Sequence, residues 1–241
     1  MMEPSELPRC SKIRQGSGDV FEELSQPTVD SAAQHSVRQN ALLESKVKTL
    51  SPTGGLIKRV IDILVASISL IVLFPLMMVV AALIACTSKG PILFWSWRIG
   101  YLGKAFQMPK FRTLYVNAPV KSRESLGDAD TLYTPIGKFL RRSSMDELPQ
   151  FWSILIGDMS LIGPRPLLMN DSTTTQRLNR PLSTLSRPGI TGLAQINGRN
   201  HLASRKKVSY DVAYARLWSW RLESRIVVET VRYVLTGRGI L

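Results

Sequence analysis

Apolar residues are distributed very unevenly along the chain. The first 50 residues contain a single aromatic side chain, Phe21, together with seven serines and six basic against seven acidic residues. Such a segment cannot bury enough apolar area to offset the entropy that it would lose on ordering. We therefore predict a disordered polar tail over residues 1–50, without the apolar stretch of a secretory signal.

The most apolar part of the chain follows this tail. Residues 63–85 form a run of 23 residues without a charged side chain, which as a helix would be about 35 Å long and could cross a bilayer core of ~30 Å. Pro75 lies near the centre of the run, where it removes a helical hydrogen bond. The segment is predicted to be membrane-embedded, and two topologies stay open: a kinked span, or a re-entrant hairpin broken at Pro75. Basic residues on both flanks suit a hairpin that enters and leaves by the cytoplasmic face.

Short elements alternate after the apolar run. Residues 91–97 and 105–114 are typical of two strands, joined by a glycine-containing turn over residues 100–103. Residues 136–142 indicate a short basic helix. A stronger helix is predicted to begin at Ser144, because Ser144 and Glu147 have the spacing of a capping box. This mixture predicts an α+β fold.

The remaining segments are predicted to be connectors, apart from one helix. Residues 116–134 indicate a mobile loop, residues 170–186 a second polar connector, and residues 187–199 a turn, a strand and a turn. Residues 210–235 carry apolar positions at helical spacing beside a series of arginines. That pattern is typical of an amphipathic helix in the membrane interface, although an ordinary surface helix packed on the core has the same pattern.

The amino-acid composition limits the kinds of site that the protein can contain. The chain has a net charge of +13, and residues 51–241 alone hold 25 basic and 11 acidic residues. Two cysteines and two histidines in 241 residues argue against a disulfide framework, a Cys/His zinc site and a Ser-His-Asp triad. A basic domain beside an embedded segment favours anionic partners, among them anionic lipids.

Asp146 and Glu147 are the strongest candidates for catalysis. Two acidic residues in a first helical turn are also favoured by the helix dipole alone, so the pair has a purely structural explanation. The basic residues around the pair indicate a functional site, because cations beside carboxylates can bind an anionic substrate. An ionised aspartate can attack phosphorus, while its neighbour acts as a base or a metal ligand. Both carboxylates are therefore candidate ligands of a hard divalent cation.

Several cations are candidate phosphate-binding residues. Arg165 lies between two prolines, which restrict the backbone and fix the guanidinium, although a rigid surface turn is the plainer interpretation. Lys110 and Arg112 are predicted to share one face of a strand, where an exposed edge is the plainer interpretation. The other candidates are Arg141, Arg142 and Arg199.

These motifs, in this order, resemble the bacterial sugar transferases, also called monotopic phosphoglycosyl transferases. The resemblance covers about residues 56–241 and is carried by six segments. They are KRVID at 58–62, KFR at 110–112, TPIGKFLRR at 134–142, SMDELPQ at 144–150, GDMSLIGPRP at 157–166 and PGITG at 188–192. Two positions depart from the family's pattern, namely Phe74 before the hairpin proline and Ser96 before Arg98. The longer members of the family also carry additional spanning segments.

The resemblance implies a reaction, a site and a topology. The reaction is transfer of a sugar-1-phosphate from a UDP-sugar to undecaprenyl (polyprenyl) phosphate, with release of UMP, as the first step of a lipid-linked glycan or exopolysaccharide. Asp146 would be the nucleophile of a covalent phosphosugar intermediate, Glu147 its partner, Arg165 a phosphate ligand and Mg²⁺ the cofactor. The implied organisation is a polar tail at 1–50, a re-entrant hairpin at 56–88 broken at Pro75, and a catalytic domain at 89–241. That domain would face the cytoplasm at the bacterial inner membrane.

A non-enzymatic alternative remains at this stage. A membrane-tethered basic protein could bind anionic lipid or nucleic acid without catalysis. The Asp146–Glu147 pair argues against it, because a polyanion binder has no use for carboxylates inside its basic cluster, and we expect no nucleic-acid partner. The sequence leaves open the sugar, the pathway, the role of the tail and whether the protein forms a homo-oligomer.

Overall fold

A computed structural model describes residues 53–119, 130–198 and 202–236. The described part is a mixed α+β structure, which confirms the predicted class. Its elements in chain order are α1 (Gly55–Thr87), β1 (Leu93–Ile99), β2 (Ala105–Phe111), α2 (Gly137–Arg142), α3 (Gln150–Ile156), β3 (Ser160–Ile162), α4 (Ser172–Leu178), β4 (Gly189–Thr191), α5 (Leu193–Ile196), α6 (Ser204–Leu217) and α7 (Trp220–Thr236). The predicted tail at 1–50 and most of the predicted loop at 116–134 lie outside the described residues.

Helix α1 contains the whole apolar run. It has 33 residues, and among the described helices it is the one long and apolar enough, by length and composition, to cross a membrane. The expected interruption of helical structure at Pro75 is not present, because α1 is continuous through this residue. A long helix can accommodate an internal proline at the loss of one backbone hydrogen bond.

Each end of α1 buries some of its side chains against the domain, whereas its middle buries none. Near the N-terminal end, Ala66 packs in a cluster with residues of β2 and α3. Near the C-terminal end, Val80 and Ile84 pack with Phe111 and Leu140. Between residues 67 and 79, all within the first described range, no side chain is buried. The two ends of α1 are thus anchored on the folded domain, and the segment around Pro75 is left uncovered.

The strands form two small sheets. β1 and β2 pair antiparallel, with Phe94 opposite Lys110, which confirms the predicted hairpin. β3 and β4 pair in parallel, with Ser160 opposite Gly189. The second sheet requires glycine at Gly163, because an added Cβ there would lie 2.1 Å from the carbonyl oxygen of Arg187.

Two predicted connectors and one predicted helix differ from the structure. The segment at 170–186 contains α4, which begins after Asp171, whose side chain accepts a hydrogen bond of 2.8 Å from the backbone N–H of Thr173. The Asp171 N-cap is the feature of the sequence that indicates this helix. The low apolar content of residues 172–178 conceals it. The segment at 187–199 continues from its strand into α5 rather than into a turn. The helix predicted over 210–235 is divided into α6 and α7.

Candidate active site

Asp146 and Glu147 lie in a single 3₁₀ turn, Met145–Glu147, between α2 and α3. The predicted capping box is wrong, because Ser144 makes no side-chain cap and adopts a left-handed backbone conformation with φ 58°. An L-residue other than glycine rarely adopts this conformation, and here it reverses the chain after α2. The carboxylate pair is therefore positioned by a tight turn, and α3 begins only at Gln150.

Lys110 is the cation that contacts both carboxylates. Its Nζ lies 2.5 Å from Oε1 of Glu147 and 3.9 Å from Oδ2 of Asp146. The lysine reaches the pair from β2, which packs against the 3₁₀ turn. The three side chains are mostly buried, with exposed fractions of 17% for Lys110, 10% for Asp146 and 21% for Glu147. A partly dehydrated charge cluster of this kind interacts more strongly than exposed ion pairs do.

Arg165 also contacts Glu147. One guanidinium nitrogen lies 3.7 Å from Oε1 of Glu147, the same oxygen that Lys110 contacts, and the arginine side chain is 51% exposed. The structure thus brings Arg165, a predicted phosphate ligand, within ion-pair distance of the carboxylate pair. Because the guanidinium is at the solvent-accessible edge, it can meet an anion that enters the site.

Burial dominates the electrostatics of Asp146. It raises the pKa of this carboxyl, and the charge of Lys110 opposes that effect. Glu147 raises the pKa further, whereas Arg141 and Arg165 lower it. Asp146 lies in a 3₁₀ turn and not in the first turn of a longer helix, so burial and the neighbouring charges govern its acidity.

Arg98 is a cation near the site that sequence reasoning missed. Its Nε donates to Oγ of Ser96 at 3.0 Å, and one terminal nitrogen donates to the carbonyl oxygen of Pro166 at 3.4 Å. Burial, and secondarily the charge of Arg165, lowers the pKa of Arg98 to about 10. The sequence feature that could have identified Arg98 is the alternation of side chains along β1. Residues 96 and 98 lie on one face of this strand, and Trp95 and Trp97 lie on the other.

The remaining predicted phosphate ligands differ in position. Arg141 donates to Oγ1 of Thr113 at 3.0 Å and to the hydroxyl of Tyr133 at 3.1 Å, and its charge acts on Asp146. Arg142 is exposed at the end of α2. Arg199 lies outside the described residues.

Arg112 has different partners from Lys110. It is buried, and its guanidinium donates to the carbonyl oxygens of Lys89 and Ser88 and to Oγ of Ser88. Because β2 ends at Phe111, strand alternation no longer fixes the direction of the next side chain. Arg112 thus binds the end of α1, and Lys110 alone of these two contacts the carboxylates.

The donor set is compatible with Mg²⁺ that is shared with a substrate. Within residues 53–119, 130–198 and 202–236, no group of three Asp, Glu, His or Cys side chains could hold a metal ion. Two adjacent carboxylates are nevertheless sufficient where substrate phosphates supply the other ligands, as is usual for this ion. Asp146 and Glu147 meet that requirement.

Comparison with known proteins identifies several relatives. The chain is 39% identical over 191 residues to the UDP-glucose:undecaprenyl-phosphate glucose-1-phosphate transferase of Klebsiella pneumoniae, covering 75% of this chain and 41% of that protein. It is 35% identical over 205 residues to the exopolysaccharide production protein ExoY of Sinorhizobium fredii, covering 79% of this chain and 90% of that protein. It is 37% identical over 213 residues to the UDP-N-acetylgalactosamine-undecaprenyl-phosphate N-acetylgalactosaminephosphotransferase of Aeromonas hydrophila, covering 84% of this chain and 50% of that protein.

The family comparison covers nearly all of the described residues. The model of the bacterial sugar transferases matches residues 53–237, which include α1, the carboxylate turn and the Arg165 turn. The match begins where the polar tail ends and confirms the resemblance that the motifs carry. The chain belongs to the bacterial sugar transferase family.

Proposed function

We propose that the protein transfers a sugar-1-phosphate from a UDP-sugar to undecaprenyl phosphate and releases UMP. The observation that carries this proposal is the recessed carboxylate pair, which Lys110 and Arg165 flank in the same domain that anchors α1. The names of the Klebsiella and Aeromonas relatives support both substrate classes. The sugar itself stays unspecified, because those two names differ in it.

The first half of the reaction begins at Asp146. An oxygen of its carboxylate attacks the phosphorus that carries the sugar, and the bond from that phosphorus to the bridging oxygen breaks. The electron pair leaves with UMP, and an aspartyl-phosphosugar remains. Lys110 and Arg165 stabilise the negative charge that develops on the phosphate oxygens, since both cations are positioned before the substrate arrives.

The second half regenerates the carboxylate. A phosphate oxygen of undecaprenyl phosphate attacks the same phosphorus, and the bond to Asp146 breaks, which gives a lipid diphosphosugar. Glu147 receives a proton from the acceptor if the phosphate enters as the monoanion, and otherwise orients Lys110. Mg²⁺, held by Glu147 and Asp146 together with the substrate phosphates, would neutralise part of the diphosphate charge.

We also propose that α1 is a re-entrant membrane element. A straight helix lying across a domain would be most buried at its middle, but α1 is buried at both ends and uncovered around Pro75. This pattern supports a bend that carries the middle away from the domain and into one leaflet. Both ends would then return to the cytoplasmic face of the inner membrane, where UDP-sugars are available.

The rival function is binding of a polyanion without chemistry. It gives no role to Asp146 and Glu147, because carboxylates inside the basic cluster would repel a polyanion. A binding protein would also leave a UDP-sugar intact. The two functions therefore differ in an observable product.

The decisive experiment is capture of the intermediate. The purified full chain is incubated with Mg²⁺ and a panel of UDP-sugars labelled in the sugar, first without acceptor and then with undecaprenyl phosphate. We expect protein-bound label and UMP release in the first stage, and transfer of label to lipid in the second. Asp146→Asn should capture no label, whereas Glu229→Gln, a matched change on α7, should capture it normally. Absence of UMP release with every sugar would overturn the proposal.

A further inference from the structure

The turn that carries Arg165 is held by its backbone. Each of the four consecutive carbonyl oxygens from residue 164 to residue 167 accepts a hydrogen bond, and the donors come from three elements of the domain, β1, α4 and β4. The donors are the N–H of Gly189 to Pro164 at 2.9 Å, the guanidinium of Arg177 to Arg165 at 2.7 Å, the guanidinium of Arg98 to Pro166 at 3.4 Å, and the N–H of Ile99 to Leu167 at 3.1 Å. Of these four residues only Arg165 is exposed, so the backbone is held in the domain while the arginine side chain reaches the surface.

The donor to Arg165 itself is the most unusual of the four. Arg177 lies on α4 with only 4% of its side chain exposed, and its other terminal nitrogen lies 2.6 Å from Oδ2 of Asp211 on α6. Asp211 is 2% exposed. Burying such a pair costs solvation energy that the mutual attraction only partly repays, so an apolar pair would hold α4 and α6 together as well. Stability alone therefore gives little reason for this pair.

The position of the Arg177 guanidinium explains the presence of this buried pair better than stability does. The guanidinium has a rigid planar fork, so fixing one side of it on Asp211 also fixes the direction of the N–H that faces the Arg165 carbonyl. The flanking prolines restrict the backbone on either side of that carbonyl. With the carbonyl fixed, the Cα of Arg165 and the origin of its side chain are fixed as well, and that side chain lies 3.7 Å from Glu147.

We infer that Arg177 and Asp211 are positioning residues for Arg165: the buried pair fixes the backbone from which the phosphate-binding guanidinium extends. This inference rests on the proposed function for the role of Arg165, but not for the mechanical link itself. Neither residue touches the carboxylate pair. Their effect on the reaction passes through Arg165.

The test uses an apolar replacement of the whole pair, Arg177→Met with Asp211→Leu, in the full-length protein. Removing one partner alone would leave a buried charge and damage the fold, whereas removing both is close to neutral for stability in comparable pairs. We expect a melting temperature near that of the parent protein and a kcat/KM for UMP release that is lower by about tenfold. Arg180→Met, which removes an exposed arginine of the same segment, should leave kcat/KM unchanged.

A double-mutant cycle with Arg165→Lys separates positioning from a general effect. If Arg177 acts through Arg165, its removal should cost nothing further once Arg165 has been replaced, so the combined loss should stay near tenfold. Losses that multiply to about a hundredfold would overturn the inference, and so would an unchanged kcat/KM in the double apolar variant.

A second readout does not depend on the reaction. Deuterium uptake by the peptide that covers residues 163–170 should rise in the double apolar variant and stay unchanged in Arg180→Met. If the parent protein released no UMP, the proposed function would be wrong. The deuterium uptake would still test whether Arg177 and Asp211 fix the backbone at Arg165. Unchanged uptake at residues 163–170 would overturn the inference.

Discussion

At the scale of single residues, the reactivity of Asp146 depends on a balance between burial and Lys110. Burial raises the pKa of the carboxyl, and the ammonium group opposes it. The folded protein therefore binds this proton more tightly than the unfolded chain does. Between the ordinary and the raised pKa, the contribution of Asp146 to stability falls as pH rises, while the ionised and nucleophilic form becomes more populated.

The acid limb of the pH–rate profile should report this balance. Since attack requires the carboxylate, kcat/KM should rise with pH through the raised pKa of Asp146. Lys110→Met removes the largest influence that lowers this pKa, so the limb should move to higher pH. The measurement is kcat/KM over a pH series, with Lys104→Met on the exposed hairpin turn as the control. A limb that stays in place in Lys110→Met would contradict the assignment.

Arg165→Lys tests the geometry of the phosphate contact. Lysine keeps the charge but lacks the planar fork that pairs with two phosphate oxygens. We expect kcat/KM to fall by about tenfold, which corresponds to ~1.4 kcal/mol of transition-state stabilisation, while the melting temperature stays near the parental value. If the Arg165 side chain only stabilised the turn, the variant would instead have full activity and a lowered melting temperature.

Sequence reasoning identified the carboxylates, Lys110 and Arg165 because each has a chemical reason that is visible locally. It could not foresee the partners of Arg112, because Ser88 and Lys89 at the end of α1 are distant from it in sequence. It missed Arg177 and Asp211 for a related reason. Their pairing joins positions 34 residues apart, and neither lies in a motif with a chemical signature of its own.

At the scale of elements, the topology of α1 is open to direct measurement. Single cysteines near residue 52 and residue 104, in a background without Cys10 and Cys86, should both react only from the cytoplasmic side. Pro75→Leu restores the missing hydrogen bond and should shift α1 towards a straight span, with opposite-side labelling. Opposite-side labelling in the parent protein would rule out the re-entrant arrangement.

The N-terminal end of α1 is joined to α7 by a buried ion pair. Nζ of Lys58 lies 2.9 Å from Oε2 of Glu223, and both side chains are less than a tenth exposed. The other carboxylate oxygen of Glu223 accepts hydrogen bonds from the hydroxyl of Tyr214 and, at 3.0 Å, from the indole of Trp218. The pair is therefore part of a network that anchors α1 on the last two helices.

Glu223→Leu should destabilise the domain by about 3 kcal/mol, because it leaves the lysine buried without this partner. The measurement is thermal unfolding in detergent. The compensating double replacement, Lys58→Met with Glu223→Leu, should recover most of the loss. A single variant as stable as the parent protein would show that this ion pair does not contribute to holding α1.

The elements themselves were predictable to different degrees. The β1–β2 hairpin and α2 follow from alternation and short-range turn signals, and the structure confirms them. Helix α4 was missed because the residues that it buries, Thr173, Thr174 and Arg177, are polar and give no apolar periodicity. The division between α6 and α7 lies at Trp218, whose backbone is not helical (ψ 131°), and an unbroken pattern of apolar residues conceals it.

At the scale of the whole molecule, the family match begins at residue 53, directly after the polar tail. Deletion of residues 2–50 should therefore leave kcat/KM within about twofold of the parental value, because the described contacts of the site lie after residue 53. The assay is UMP release in the same detergent for both proteins. A loss of more than tenfold would show that the tail contributes to the site.

The ion pair between Lys58 and Glu223 also has a consequence for biosynthesis. The two residues are separated by 165 positions, so the ribosome releases α1 long before it translates the partner of Lys58. The apolar contacts of α1 with β2 and α3 can form earlier, because those elements are translated before α7. The contact of Lys58 with Glu223 is therefore the late step in anchoring α1, and it forms only after α7 is made. A nascent chain arrested before α7 would hold α1 with a lysine that still lacks the Glu223 contact.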